Sequence, residues 1–182
     1  MPFSDRLVAS TADASWLPPG STAEVWACDS TASPEPVIIV RFLLTRVVAG
    51  REPEIFCVEV TKGLDLPTRF LGGDNGWTAS TVGLDDLSQD LFGRLVPTRC
   101  VGYVRNVVPT PDETYQYPTP YAHVPVFTAT STHEPIAPGH WVPLSRGRVE
   151  LSTRHWWPVA EWFLLSRNDE GPPAEAPERD DR

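Results

Sequence analysis

Asp86 and Asp90 stand four residues apart in GLDDLSQDL, and on a helix that spacing projects both carboxylates from one face, where together they can hold a hard cation. With Asp85 they can equally form an ordinary solvated helix face. Arg69 offers a guanidinium whose fork matches a phosphate or a carboxylate, or a salt bridge at a rim. The stretch Pro109–Pro120, PTPDETYQYPTP, carries Asp112, Glu113, Tyr115 and Tyr117, with Tyr121 just beyond. Loops of that length often act as lids. The tyrosines, with Trp77 at the end of GGDNGW, supply aromatic surface for a ligand, and Glu113 supplies a carboxylate for acid–base work. The plainer reading of this stretch is a surface loop stiffened by proline. His123 lies in a strand-like run and is the histidine considered for proton transfer, against the alternative of a hydrogen-bonded core residue. His133 and His140 have no recognisable zinc spacing.

These residues need elements to position them. AEVWAC at 23–28 reads as a strand, and the β-branched run VIIVRFLLTRVVA at 37–49 as a central one, with IFCVEV at 55–60 as its antiparallel partner. Leu64–Leu71 is extended around Pro67, and the Gly72–Trp77 loop leads into a helix over Thr78–Phe92. Thr78 is the expected N-cap, Leu84, Leu87 and Leu91 make the apolar stripe, and Gly93 suits a left-handed C-terminal position; Gly83 weakens the helix. Strands follow at Cys100–Val108, Tyr121–Thr130 and His140–Leu144, and a short amphipathic helix at Pro158–Leu165. Trp156, Trp157, Trp162 and Phe163 are read as helix-to-sheet packing.

The whole chain has 182 residues, 41% hydrophobic, a formal charge of −9 and twenty prolines, which fits one domain of short strands and stiff loops. The acidic balance argues against a nucleic-acid partner. Cys28, Cys57 and Cys100 are odd in number and widely spaced, so no disulfide framework is indicated and a reducing cytoplasm is the simplest location. No secretory signal pattern or membrane-spanning run is visible. Residues 1–22 are read as an N-terminal segment, 23–167 as the folded domain, and 168–182, with a net charge of −4 and no large apolar residue, as a disordered acidic tail.

The order of strands, glycine loop, helix, strands and final helix resembles the Nudix hydrolase family. LDLPTRFLGG at Leu64–Gly73 is similar to the family's leucine-proline-glycine-glycine approach to its signature. HVPVFTAT at His123–Thr130 resembles its central strand, GHWVPLS at Gly139–Ser145 its tryptophan-containing strand, and RHWWPVAEWF at Arg154–Phe163 its final helix. Gly72 and Gly93 keep the separation of the signature's outer glycines. In the ungapped register Thr78 replaces the first glutamate, Asp86 the arginine, Leu87 and Leu91 two metal-binding glutamates, and Asp90 alone keeps a carboxylate. Sliding the helix by one residue puts Asp86 and Asp90 on two metal positions and Gln89 on the third, and fits the leucine stripe better.

The resemblance implies an α/β fold, a Nudix-like α/β/α sandwich with a mixed, largely antiparallel sheet. It also implies a pocket between the Gly72–Gly93 loop-helix and the Pro109–Pro120 loop, binding a small phosphorylated or nucleotide-like ligand. Two aspartates hold magnesium less firmly than the family's glutamates, so magnesium-dependent pyrophosphohydrolase activity is expected to be weak or absent. The expected site is Glu113 and His123 for catalysis, Arg69, Trp77, Tyr115, Tyr117 and Tyr121 for the ligand, and Asp86 and Asp90 for the metal. Two alternatives stand beside it: a non-catalytic interaction or regulatory module, and a metal-independent biosynthetic enzyme using Glu113 or His123. The expected partner is a small molecule, with no membrane or nucleic acid; a homodimer is the assembly considered.

Overall fold

The computed structural model describes residues 5–73 and 76–168. In chain order its elements are β1 (Arg6–Ala12), β2 (Thr22–Ser30), β3 (Ile39–Phe42), β4 (Thr45–Arg46), β5 (Glu54–Val60), β6 (Gly63–Asp65), β7 (Thr68–Phe70), β8 (Gly72–Gly73) and β9 (Gly76–Trp77). They continue with α1 (Ser80–Phe92), β10 (Thr98–Val107), β11 (Tyr121–Ala129), β12 (His140–Pro143), α2 (Leu144–Glu150) and α3 (Trp157–Asn168). The fold is mixed α/β. Its main sheet has six strands in the order β1-β2-β10-β11-β3-β7, antiparallel throughout except for β11 against β3. A second sheet runs β12-β5-β4, with β6 paired to β5. Among the described residues no helix is long and apolar enough to cross a membrane.

The apolar run at 37–49 divides instead of forming one strand. β3 belongs to the main sheet and β4 to the second, and the chain changes sheets through the buried Leu43 and Leu44. Both ends of the crossing are tied by backbone bonds: Leu43 N–H donates to the Phe127 carbonyl, and Phe56 N–H donates to that of Leu44. β5 accordingly pairs with β4 and not with β3. Pro125 sits in β11 where the ladder to β3 is interrupted, between the Val37–His123 bridge and the Val126–Arg41 pair. Having no N–H, it cannot donate there, and the Ile38 carbonyl accepts from Leu71 N–H instead.

Two apolar clusters divide the faces of the main sheet. One contains Val101, Val104, Val124 and Val126 with α3's Val159, Ala160, Phe163 and Leu164; the other contains Cys100, Tyr103 and Phe127 with α1's Leu87, Leu91 and Phe92. The register slips between Cys100 and Gly102, so Cys100 and Tyr103 share a face although an odd step separates them. On β3, Val40 and Phe42 face the α1 side, which by alternation places Arg41 on the α3 side.

α1 starts two residues later than the sequence suggests, with Ala79 as N-cap and no side-chain cap bond, and ends on Gly93 in the left-handed region at φ 65°. Gly83 has a packing reason: a Cβ there would lie 2.3 Å from Leu71 Cδ2, so its absence lets α1 settle onto β3 and β7. Residues 1–22, expected as a separate segment, contribute β1, paired to β2 along its length. α2 is an element the sequence reading did not include. The expected tail at 168–182 lies, beyond Asn168, outside the described residues.

Candidate functional site

A cavity of about 280 Å³ opens on the α3 side of the main sheet. Its floor is made by β3, β10 and β11 through Ile39, Arg41, Val104, Asn106 and Val124, and its walls by Trp16, Tyr115, Tyr117, His155 and Trp156. The Pro109–Pro120 loop therefore does cover a cavity, and its conformation has a local cause. Asp112 Oδ1 accepts from both the backbone N–H (2.8 Å) and the hydroxyl (2.5 Å) of Thr114, which closes the turn and holds the Asp112 carboxyl below its ordinary pKa. Tyr115 follows directly; its hydroxyl accepts from Asn106 Nδ2 at 3.2 Å, and burial raises its pKa. Tyr115 and Tyr117 meet edge to face with centroids 5.4 Å apart, and Tyr117 meets Trp77 at 6.1 Å.

Charge enters at the floor. Arg41 Nη1 donates to Asp65 Oδ1 at 2.8 Å and to the Thr68 hydroxyl at 2.9 Å. The same Asp65 oxygen accepts from Trp156 Nε1 at 2.7 Å and from Leu66 N–H at 2.8 Å, while Arg154 Nη1 lies 3.5 Å from Oδ2. Two guanidiniums thus share one carboxylate, which leaves a surplus positive charge beside the cavity. Burial lowers the pKa of Arg41, yet a guanidinium keeps its proton near neutrality. His155 sits at the rim with its ring 4.2 Å from that of Trp16. Desolvation first, and the charge of Arg41 after it, lower its pKa. Aromatic walls over a cationic floor can take a flat ring that carries an anionic group.

The residues singled out in the sequence scatter. Tyr115 and Tyr117 line the cavity. Trp77, in contact with Tyr117, lines a neighbouring open groove of about 650 Å³ together with Glu35, Val37, Ser80, Thr81 and Pro118. That groove occupies the place expected between the loop-helix and the Pro109–Pro120 loop, but its charged side chain is an acid: Glu35 accepts from Ser80 Oγ at 3.1 Å and from Val37 N–H at 3.0 Å. Tyr121 is exposed, with the Arg105 guanidinium 5.3 Å from its ring. Glu113 is exposed and outside both linings. His123 is buried on the face opposite Val124, its Nδ1 3.2 Å from the Pro36 carbonyl, and burial lowers its pKa.

On α1, Asp90 pairs with Arg69 Nη2 at 2.5 Å and Asp86 is exposed; neither lines the cavity or the groove. Arg69 Nε is buried without a hydrogen-bond partner. Among the described residues no three His, Cys, Asp or Glu side chains are grouped to hold a metal ion. Sequence reasoning missed Trp16, Arg41, Asn106, His155 and the cavity-lining position of Trp156. Arg41 did carry a signal, since a charge inside VIIVRFLL must find a buried partner. No family model, curated protein or solved structure matches the chain.

Proposed function

We propose that the protein binds a small phosphorylated or nucleotide-like ligand in the 280 Å³ cavity, with the ligand's ring against Trp16, Tyr115 and Tyr117 and its anionic group toward Arg41. The observation that carries this reading is the pairing of aromatic walls with the surplus charge of Arg41 and Arg154 over Asp65. The volume suits a nucleobase-sized ring, near the lower end of small-molecule pockets at roughly 300 Å³. Magnesium-dependent hydrolysis of phosphoanhydrides is weak or absent on this reading, because Asp90 is engaged by Arg69 and the α1 carboxylates lie on the other side of the sheet. The Nudix resemblance then concerns the scaffold, and the ligand is held without a metal.

Calorimetry and thermal shift against nucleotides, sugar nucleotides and small phosphorylated metabolites test this directly. At least one should raise the melting temperature, and Tyr115→Ala should weaken its binding about fivefold or more, since a lost stacking partner costs roughly 1–3 kcal/mol. Silence from every phosphorylated compound, or unchanged affinity in Tyr115→Ala, overturns the proposal. In that event the interaction-module reading takes over, favoured by one feature: Phe70, Trp77 and Val82 are 63%, 52% and 50% exposed on the neighbouring elements β7, β9 and α1.

A further inference from the structure

β2 and β10 run side by side in the main sheet, and the irregularity at Cys100–Gly102 brings a thiol from each into contact. Cys28 Sγ and Cys100 Sγ are 3.6 Å apart, although 72 positions separate the two residues in the sequence. Both side chains are buried within one apolar cluster, whereas the third thiol, Cys57, belongs to β5 and the other cluster. A disulfide bond is about 2.0 Å long, and the remaining gap is of the size that side-chain rotation and small strand shifts close.

We propose that Cys28 and Cys100 form an oxidisable dithiol that closes to an intramolecular cross-strand disulfide, with a peroxide as the oxidant. The two thiols are not equivalent. The hydrogen bond from Cys28 pulls the Cys100 thiol below its ordinary range. The same contact and burial push the Cys28 thiol far above it. Cys28 Sγ donates to Cys100 Sγ, so a thiolate at Cys100 has a donor facing it and Cys100 is the attacking sulfur. Its thiolate attacks one peroxide oxygen, the O–O bond breaks, and the departing hydroxide takes up a proton to leave as water, giving a Cys100 sulfenic acid. Cys28 then attacks Cys100 Sγ; the S–S bond forms, the S–O bond breaks, and the hydroxyl leaves as a second water with the proton from Cys28. Two thiols lose two electrons and two protons, and hydrogen peroxide becomes two waters. Burial slows the first step and protects the product from reductant.

The test uses the full chain, reduced and then treated with hydrogen peroxide, with catalase added before alkylation by N-ethylmaleimide in denaturant. Intact mass should show one maleimide after oxidation and three before it, matching the three cysteines. Trypsin should release Leu7–Arg41 joined to Cys100–Arg105, and dithiothreitol should separate them. Cys57→Ser must still give the linked pair. Three maleimides after prolonged oxidation, sulfinic or sulfonic acid at Cys28 or Cys100 without a link, or a link that involves Cys57 or a second chain would each overturn the proposal. The maleimide count and the linked peptides are read on the unsubstituted protein, so they decide the proposal even where Cys57→Ser does not fold.

Discussion

Asp65 gathers more bonds than any residue the sequence drew attention to. Its Oδ1 accepts from Arg41, Trp156 and its own neighbour Leu66, and its side chain is only 15% exposed. Such a carboxylate is worth most when it is removed, because the guanidinium left behind stays buried and unpaired. Asp65→Ala should therefore lower the unfolding free energy by about 3–5 kcal/mol, read from the urea midpoint at constant slope. A loss below about 1 kcal/mol would mean that the Thr68 hydroxyl and water already satisfy Arg41. Half of this centre was legible in the sequence. Arg41 breaks an apolar strand and demands a partner, but TKGLDLP looks like any turn, and nothing local says that its aspartate will meet an arginine 24 residues earlier. The histidines show the same limit. His123 lies in the more regular strand, yet alternation turns it away from the cavity, while His155 reaches the rim from a turn.

At the scale of elements, local signals served where one element decides its own shape. The leucine stripe and Gly93 marked α1, and the β-branched runs marked β10 and β11. They failed where the partner decides. The sheet switch at Leu43–Leu44 leaves no mark, because both residues are buried and apolar just as in a continuous strand. α2 is only seven residues long with Gly147 inside it, and that glycine is there because a Cβ would meet the Trp157 ring at 2.7 Å. Gly83 gives the sharpest example, since intrinsic propensity reads it as a flaw worth about 1 kcal/mol. Packing reverses the sign. Leu71, the atom a new methyl would strike, is itself 2% exposed and has no space to retreat into. Gly83→Ala should destabilise the fold by about 1–3 kcal/mol in chemical denaturation, despite the better helix former. Val82→Ala, next to it on the exposed side, should stay within about 0.5 kcal/mol. Equal or greater stability in Gly83→Ala would show that α1 can lift from β7 without loss.

Across the whole molecule the main sheet acts as a partition. α1, with Asp86 and Asp90, covers one side together with Arg69 of β7, and the cavity with Arg41, Tyr115 and Trp156 opens on the other. A signature read along the chain placed metal ligands and ligand-binding tyrosines in one pocket; the pleat separates them, because Arg69 lies opposite Val40 while Thr68 lies opposite Arg41. The two ideas can therefore be tested apart. Asp90→Asn removes an ion pair whose side chains are 39% and 64% exposed, a change that should cost no more than about 1 kcal/mol of stability. Asp86→Asn touches a solvated carboxylate and should cost less. Both variants should bind the phosphorylated ligand as the unsubstituted protein does, within about twofold by calorimetry, since neither alters the aromatic walls or the Arg41 floor. With magnesium and nucleoside polyphosphates, the unsubstituted protein should release phosphate no faster than either variant. If turnover is instead robust, requires magnesium, and disappears in Asp86→Asn or Asp90→Asn, the Arg69–Asp90 pair must open to admit a cation, and catalysis belongs to the α1 side of the sheet.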